Sequence, residues 1–295
     1  MADPTERAPA SVRRPASVVD AHHHVWDLSV RDQEWIAGPE LAPIRRDFTI
    51  EEMEPAARAA GVVASVLVQT VTVADETPEL LAVAVRNDLV AGVVGWTDLT
   101  APAVADELHR LRQLTGGQHL VSVRHQVQGE PDPDWLLRPD VRRGLEAVAA
   151  AGLAYDLVVL PHQLPACTEV ARRHPRLTFV LDHLGKPPIA AGARTPWATD
   201  IGALAALPNT VCKLSGMVTE ADPAAWTTAD LAPYADTVLE AFGPRRLMFG
   251  SDWPVCTLAA GYEEVLDAAD ELTGQLTDAE RAEVFSGTAR RAYGL

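Results

Sequence analysis

Two histidines one residue apart, His22 and His24, close a short apolar run in "VVDAHHHVWD" (18 to 27). Side chains on a strand alternate faces, so these imidazoles share one face, roughly 6–7 Å apart along the chain, and His23 takes the other. That spacing lets both converge on one metal ion or one substrate oxygen, as zinc sites built on strands do. It equally suits a pair of hydrogen-bonded core histidines. "GSDWP" (250 to 254) adds Asp252, a carboxylate that suits a metal ligand, a general base toward water, or a helix N-cap ahead of Pro254. "LDHLGKPP" (181 to 188) adds His183, with Asp182 expected on the opposite face. Taken together, the four residues are far more specific than any one of them.

Something must bring these distant residues to one place. Short apolar runs alternate with helix-length, Ala-rich segments: 17 to 26, 63 to 69, 89 to 99, 120 to 128, 153 to 160, 177 to 185, 210 to 216 and 247 to 254. Near-continuous apolar strands suit a parallel sheet buried on both faces, and the helical segments supply the crossovers. Eight such units predict a closed (β/α)8 TIM barrel, an α/β fold of one domain spanning 17–295. Residues 1–16, "MADPTERAPASVRRPA", have no periodic pattern and are expected to form a flexible N-terminal tail. Insertions are expected at 27–48 and 186–199, and Thr277 with Glu280 has the spacing of a capping box.

The polar residues within these runs sit toward their C-terminal ends: Asp20, His22 and His24, then Gln69, Arg124 and Gln126, then His183, Lys213, Ser215 and Asp252. In barrel enzymes that end carries the chemistry. Arg124 has the fork geometry for a carboxylate or vicinal hydroxyls, with His125 pointing away. Gln69, Asp156 and Lys213 are further candidates for substrate contact, or else satisfied interior groups. Seven of the sixteen aromatic residues are tryptophans. Trp26, Trp96, Trp135 and Trp253 fall at or beyond strand ends, where indole faces suit sugar-like rings as well as core packing.

With 41 acidic against 25 basic residues, the net charge of −16 argues against nucleic acid and anionic membranes as partners. No apolar run reaches the roughly 18 residues of a membrane span, and the tail lacks the apolar stretch of a secretory signal, so a cytoplasmic protein is expected. Cys167, Cys212 and Cys256 are odd in number and widely spaced, which suits buried reduced thiols. A homo-oligomer stays open.

Through "DAHHHVWD", "SVRHQVQ", "LDHLGKP", "CKLSG" and "MFGSDWP" the chain resembles the amidohydrolase superfamily, within it the amidohydrolase-related group that includes sugar-acid and pyrone-dicarboxylate lactonases. The resemblance covers essentially the whole barrel. It implies a hydrolase opening a small polar lactone, with Asp252 activating water and His22, His24 and His183 polarising the carbonyl. Metal-dependent members usually add a Lys or Glu after strand 4 and a His after strand 5. Here strand 4 ends in "RHQVQ" and strand 5 reads "YDLVV", with His162 further out. The expectation is therefore no required cofactor, or one divalent ion, zinc by ligand type, on His22, His24 and Asp252. Two alternatives stay open: a zinc-dependent decarboxylase on a similar barrel, and a catalytically silent barrel that binds a small acid.

Overall fold

A computed structural model describes residues 17–295, and the expected flexible tail lies outside the described residues. Eight strands form a single sheet in chain order: β1 (Val18–His23), β2 (Val62–Val68), β3 (Val90–Gly95), β4 (Leu120–His125), β5 (Ala154–Leu157), β6 (Phe179–Leu181), β7 (Thr210–Leu214) and β8 (Leu247–Phe249). Neighbouring strands are parallel throughout. The ring closes just past β8, where the Asp252 amide donates to the His22 carbonyl (2.8 Å) and the His24 amide to the Trp253 carbonyl (2.7 Å). This is the expected (β/α)8 barrel, and its closure sets Asp252 beside the two histidines.

The crossovers carry α1 (Ile50–Ala59), α2 (Glu76–Arg86), α3 (Val104–Gln113), α4 (Pro139–Ala150), α5 (Leu164–Arg173), α6 (Trp197–Ala205), the short α7 (Met217–Glu220) and α8 (Thr228–Phe242). After β8 come α9 (Tyr262–Leu272), α10 (Asp278–Ala282) and α11 (Thr288–Tyr293). The capping box forms as expected: Thr277 Oγ1 accepts from the Glu280 amide, and the Glu280 carboxylate accepts from the Thr277 amide. None of the described helices is long and apolar enough to cross a membrane.

Alternation along the strands divides the core in two. Val19, Ala21, Val66, Val94, Ala154, Val180 and Met248 pack together inside the barrel, where Ala289 and Tyr293 of α11 join them. Leu67, Val93, Val123, Tyr155, Phe179, Cys212 and Phe249 belong to the larger core shared with the helices. All three cysteines are buried and unpaired.

The 27–48 insertion is held by edge-to-face rings. Trp26 meets Trp35 at 5.7 Å and Phe48 at 5.2 Å, and Phe48 meets Trp253 at 5.3 Å. On α4, Gly144 packs where a Cβ would collide with the Leu99 carbonyl. Alanine ordinarily improves a helix by about 1 kcal/mol over glycine, but overpacking against backbone costs roughly 1–3 kcal/mol. The collision wins: Gly144→Ala is expected to lower the urea midpoint, although helix propensity alone would raise it.

Candidate active site

The register between β1 and β2 shifts between Asp20 and His23, so the simple alternation of faces fails there. Ala21 packs in the inner core and His22 next to it also points inward, toward Lys213 and Arg124. His23 points outward as expected and bonds Ser65 Oγ (2.9 Å), and burial takes its pKa down to about 3. Asp20, read as one of the polar groups at the mouth, instead faces the outer layer. Its carboxylate accepts from the Ser251 amide (2.9 Å), Ser251 Oγ (2.6 Å) and Tyr262 Oη (2.9 Å). It acts on the site by fixing Ser251, the residue before Asp252, and by accepting from the His22 amide (3.1 Å).

Asp252 itself sits at φ 58°, and His183 and Leu184 at φ 52° and 55°. These left-handed conformations are uncommon outside glycine and aim side chains where a continuing strand would not. After β6 they undo the expected opposition of Asp182 and His183, and both side chains end up in the barrel interior.

Four side chains converge at the mouth. His22 Nε2 lies 3.2 Å from His24 Nε2, and Asp252 Oδ1 lies 3.7 Å from His22 Nε2, 3.5 Å from His24 Nε2 and 3.8 Å from His183 Nε2. Second partners fix each ring: His24 Nδ1 on the Val68 carbonyl (2.8 Å) and His183 Nδ1 on Ser215 Oγ (2.9 Å). Burial pushes the His183 pKa down to about 4, and burial with Lys213 pushes His22 well below its ordinary value. Burial works against an ionised Asp252, but His183, His24 and Lys186 outweigh it and hold the carboxyl below its usual value. The mouth therefore pairs a carboxylate with two imidazoles, those of His22 and His183, that burial favours in the neutral form.

Beneath this cluster lies a buried charged layer. Lys213 Nζ is 2.6 Å from Asp156 Oδ2 and 2.9 Å from Asp182 Oδ1, and it bonds His22 Nδ1 at 3.1 Å. Asp156 also accepts from Ser122 Oγ (2.6 Å) and from Tyr293 Oη (2.7 Å). Arg124 donates from Nη1 to Asp182 Oδ2 (2.8 Å) and from Nε and Nη2 to Gln69 Oε1 (3.0 and 2.9 Å). Burial opposes the charged form of Asp182, yet Lys213, His22 and Arg124 hold it well below the usual carboxylate range.

The predicted residues thus fall into three groups. His22, His24, His183 and Asp252 come together. Gln69, Arg124, Asp156 and Lys213, read as candidate substrate contacts or satisfied interior groups, are buried, Gln69 bonded to Arg124 and Asp156 to Lys213. Trp26 and Trp253 carry the insertion: the Trp26 indole donates to the Arg46 carbonyl (2.6 Å) and lines a cavity of about 440 Å³ between the insertion and α2, which none of the four mouth residues lines. Trp96 donates to His125 Nδ1 (3.1 Å), and His125 stacks on Trp135 at 4.2 Å. His162 is exposed. Sequence reasoning missed Asp182 as a partner of both buried cations. It also missed Lys186, which pairs with Glu220 at 3.6 Å and acts electrostatically on Asp252.

Gly216 lies at φ 64°, where an added Cβ would sit 2.6 Å from His183 Nδ1. Gly216→Ala is expected to displace that ring and lower turnover roughly 100-fold, the scale on which a misplacement of about 1 Å is felt. Circular dichroism should show the fold retained.

The donor set also fits a divalent ion. Tetrahedral bonds of about 2.0–2.1 Å place neighbouring ligand atoms roughly 3.3 Å apart. His22, His24 and Asp252 are spaced at 3.2, 3.5 and 3.7 Å. Asp182 Oδ1, buried with no well-directed hydrogen bond and 3.4 Å from His22 Nδ1, is placed to orient a ligating imidazole. His183 also groups with His22 and Asp252 in a potential ligand trio.

The amidohydrolase family model matches residues 19–295. The L-fucono-1,5-lactonase of Burkholderia multivorans is 39% identical over 288 residues, covering 94% of this chain and 96% of that protein. A crystal structure of an amidohydrolase from B. multivorans with bound zinc superposes with a TM-score of 0.89 at 39% identity, covering 95% of this chain and all of that one. A putative 2-pyrone-4,6-dicarboxylic acid hydrolase from Pseudomonas putida shares the fold, with a TM-score of 0.76 at 20% identity over 95% of this chain and 98% of that one. From the residues matched and the barrel they build, this chain belongs to the amidohydrolase family.

Proposed function

We propose that this protein is a lactonase that opens a sugar-derived lactone with water, its preferred substrate a six-membered ring of the L-fucono-1,5-lactone kind. The observation that carries the reading is the convergence of Asp252 Oδ1 on three imidazoles within 3.8 Å at the barrel mouth. The similarity to L-fucono-1,5-lactonase over 94% of the chain supports the substrate class.

Asp252 takes a proton from water as the water oxygen bonds to the lactone carbonyl carbon. The carbonyl π pair moves onto oxygen, where imidazole N–H groups stabilise the oxyanion. Collapse re-forms the carbonyl, breaks the bond to the ring oxygen and returns the proton from Asp252 to that oxygen, leaving a hydroxy acid. A lactone carbonyl is more electrophilic than an amide and its alkoxide leaves more readily, so these groups have less to supply. When bound by His22, His24 and Asp252, with His183 beside them, a divalent ion supplies Lewis-acid polarisation and a more acidic water, and zinc suits this donor set. Lys213 acts through His22 and is held there by Asp156, while Lys186, paired with Glu220, acts electrostatically on Asp252. Three unpaired buried thiols support a cytoplasmic setting.

The test is acid release, read with a pH indicator in weak buffer, from a panel of 1,5- and 1,4-aldonolactones and a pyrone dicarboxylate. Each is run with chelator-treated and zinc-supplemented protein. Faster release from the sugar 1,5-lactones is expected. A panel left unhydrolysed under both conditions would sink the reading.

A further inference from the structure

Lys213 is fully buried, and its ammonium faces three acceptors: Asp156 Oδ2 at 2.6 Å, Asp182 Oδ1 at 2.9 Å and His22 Nδ1 at 3.1 Å. An ammonium has three N–H donors and no acceptor, so the hydrogen bond to His22 requires a lone pair on Nδ1. A neutral imidazole bare at Nδ1 carries its proton on Nε2. The other side of the ring agrees. His24 gives its Nδ1 proton to the Val68 carbonyl (2.8 Å), which leaves a lone pair on His24 Nε2 for the His22 Nε2–H, 3.2 Å away. Arg124 Nη1 approaches the same His22 Nε2 at 3.4 Å, but its shorter bond is the one to Asp182 Oδ2 at 2.8 Å.

We propose that Lys213 is a positioning residue that fixes His22 in the Nε2–H tautomer, so that the proton it holds against His24 at the mouth is available to a lactone carbonyl. A divalent ion can engage His22 only after that hydrogen bond is exchanged for one from Nδ1–H to Asp182. The inference deepens the lactonase reading and rests on it for the role of His22, although the tautomer itself involves no substrate. A ligating Nε2 needs its lone pair, which moves the proton to Nδ1. There it faces a Lys213 N–H, and the acceptor left for it is Asp182 Oδ1, 3.4 Å away and buried without a well-directed hydrogen bond. Lys213 thus favours the proton-donating form of the site and opposes the metal-holding one, through one hydrogen bond on the far side of the ring.

The experiment is long-range 15N–1H correlation on metal-free protein labelled at its nine histidines, with the His22 signals assigned by their loss in His22→Gln. The expected spectrum shows a protonated Nε2 and a bare Nδ1 for His22, reversing when zinc is added. A protonated Nδ1 in the metal-free protein would overturn the proposal. In parallel, zinc affinity is measured by chelator competition for wild type and Lys213→Met. The variant is expected to bind zinc about tenfold more tightly, similar in size and opposite in sign to the loss that follows removal of a partner supporting a metal ligand, and equal or weaker binding would count against Lys213. If the variant does not fold, the wild-type spectrum decides alone. Neither measurement uses a lactone, so failure here is distinguishable from failure of the hydrolysis panel.

Discussion

Asp252→Asn is expected to lower kcat for a lactone substrate by about 10³-fold, within the 10²–10⁴ range that a general base contributes, and to leave KM within a few-fold. The substitution keeps the shape of the side chain and removes its basicity. Asparagine tolerates the left-handed φ of 58° that aspartate occupies here, so the turn after β8 should survive. The groups within 3.8 Å of Oδ1 are the mouth histidines, and an amide oxygen can still accept from a ring that carries its proton on Nε2. What it cannot do is take a proton from water and return it to the ring oxygen. An equal loss in kcat and kcat/KM would mark an interaction made only in the transition state. Turnover within threefold of wild type would remove Asp252 from the chemistry.

The eight strands were legible because each apolar run is long enough to be buried on both faces and is separated from the next by a helical segment. The pairing of His22 with His24, and its separation from His23, was legible for the same reason: alternation assigns faces. It failed at Asp20 and Asp182. A register shift in β1 turns Asp20 outward, and left-handed residues after β6 bring Asp182 inward. Nothing in the residue types at those positions announces either irregularity. Lys213 and Asp156 were read as substrate contacts or as satisfied interior groups, and the sequence left the two open. Alternation says which side of a strand a residue occupies, and only the barrel's closure shows that they lie one layer below the mouth. The tryptophans were ambiguous in kind, since the same indole suits a sugar ring or a packed insertion, and Trp26 and Trp253 pack the insertion.

Asp182→Asn is expected to destabilise the fold by about 3–5 kcal/mol, far more than the roughly 0.5–1.5 kcal/mol of an ordinary hydrogen bond. Below the mouth, Lys213 and Arg124 balance Asp156 and Asp182, all of them buried. Asp182 is the acid that reaches both cations, at 2.9 Å and 2.8 Å. Without its charge, the layer holds two cations against one anion in a region that water does not reach. A single substitution therefore leaves an uncompensated buried charge, whereas a balanced pair of substitutions does not. Adding Lys213→Met to Asp182→Asn restores neutrality, and the double variant should be more stable than the sum of the two single losses predicts, by at least about 2 kcal/mol of coupling. Urea unfolding of the four proteins at pH 7 measures this. Additive losses, or a cost below about 1 kcal/mol for Asp182→Asn, would show that the layer is not held by charge balance. Coupling of the expected size would mean that this neutrality is needed to keep a lysine against His22 at all, so the stability of the barrel and the tautomer of its histidine depend on the same carboxylate.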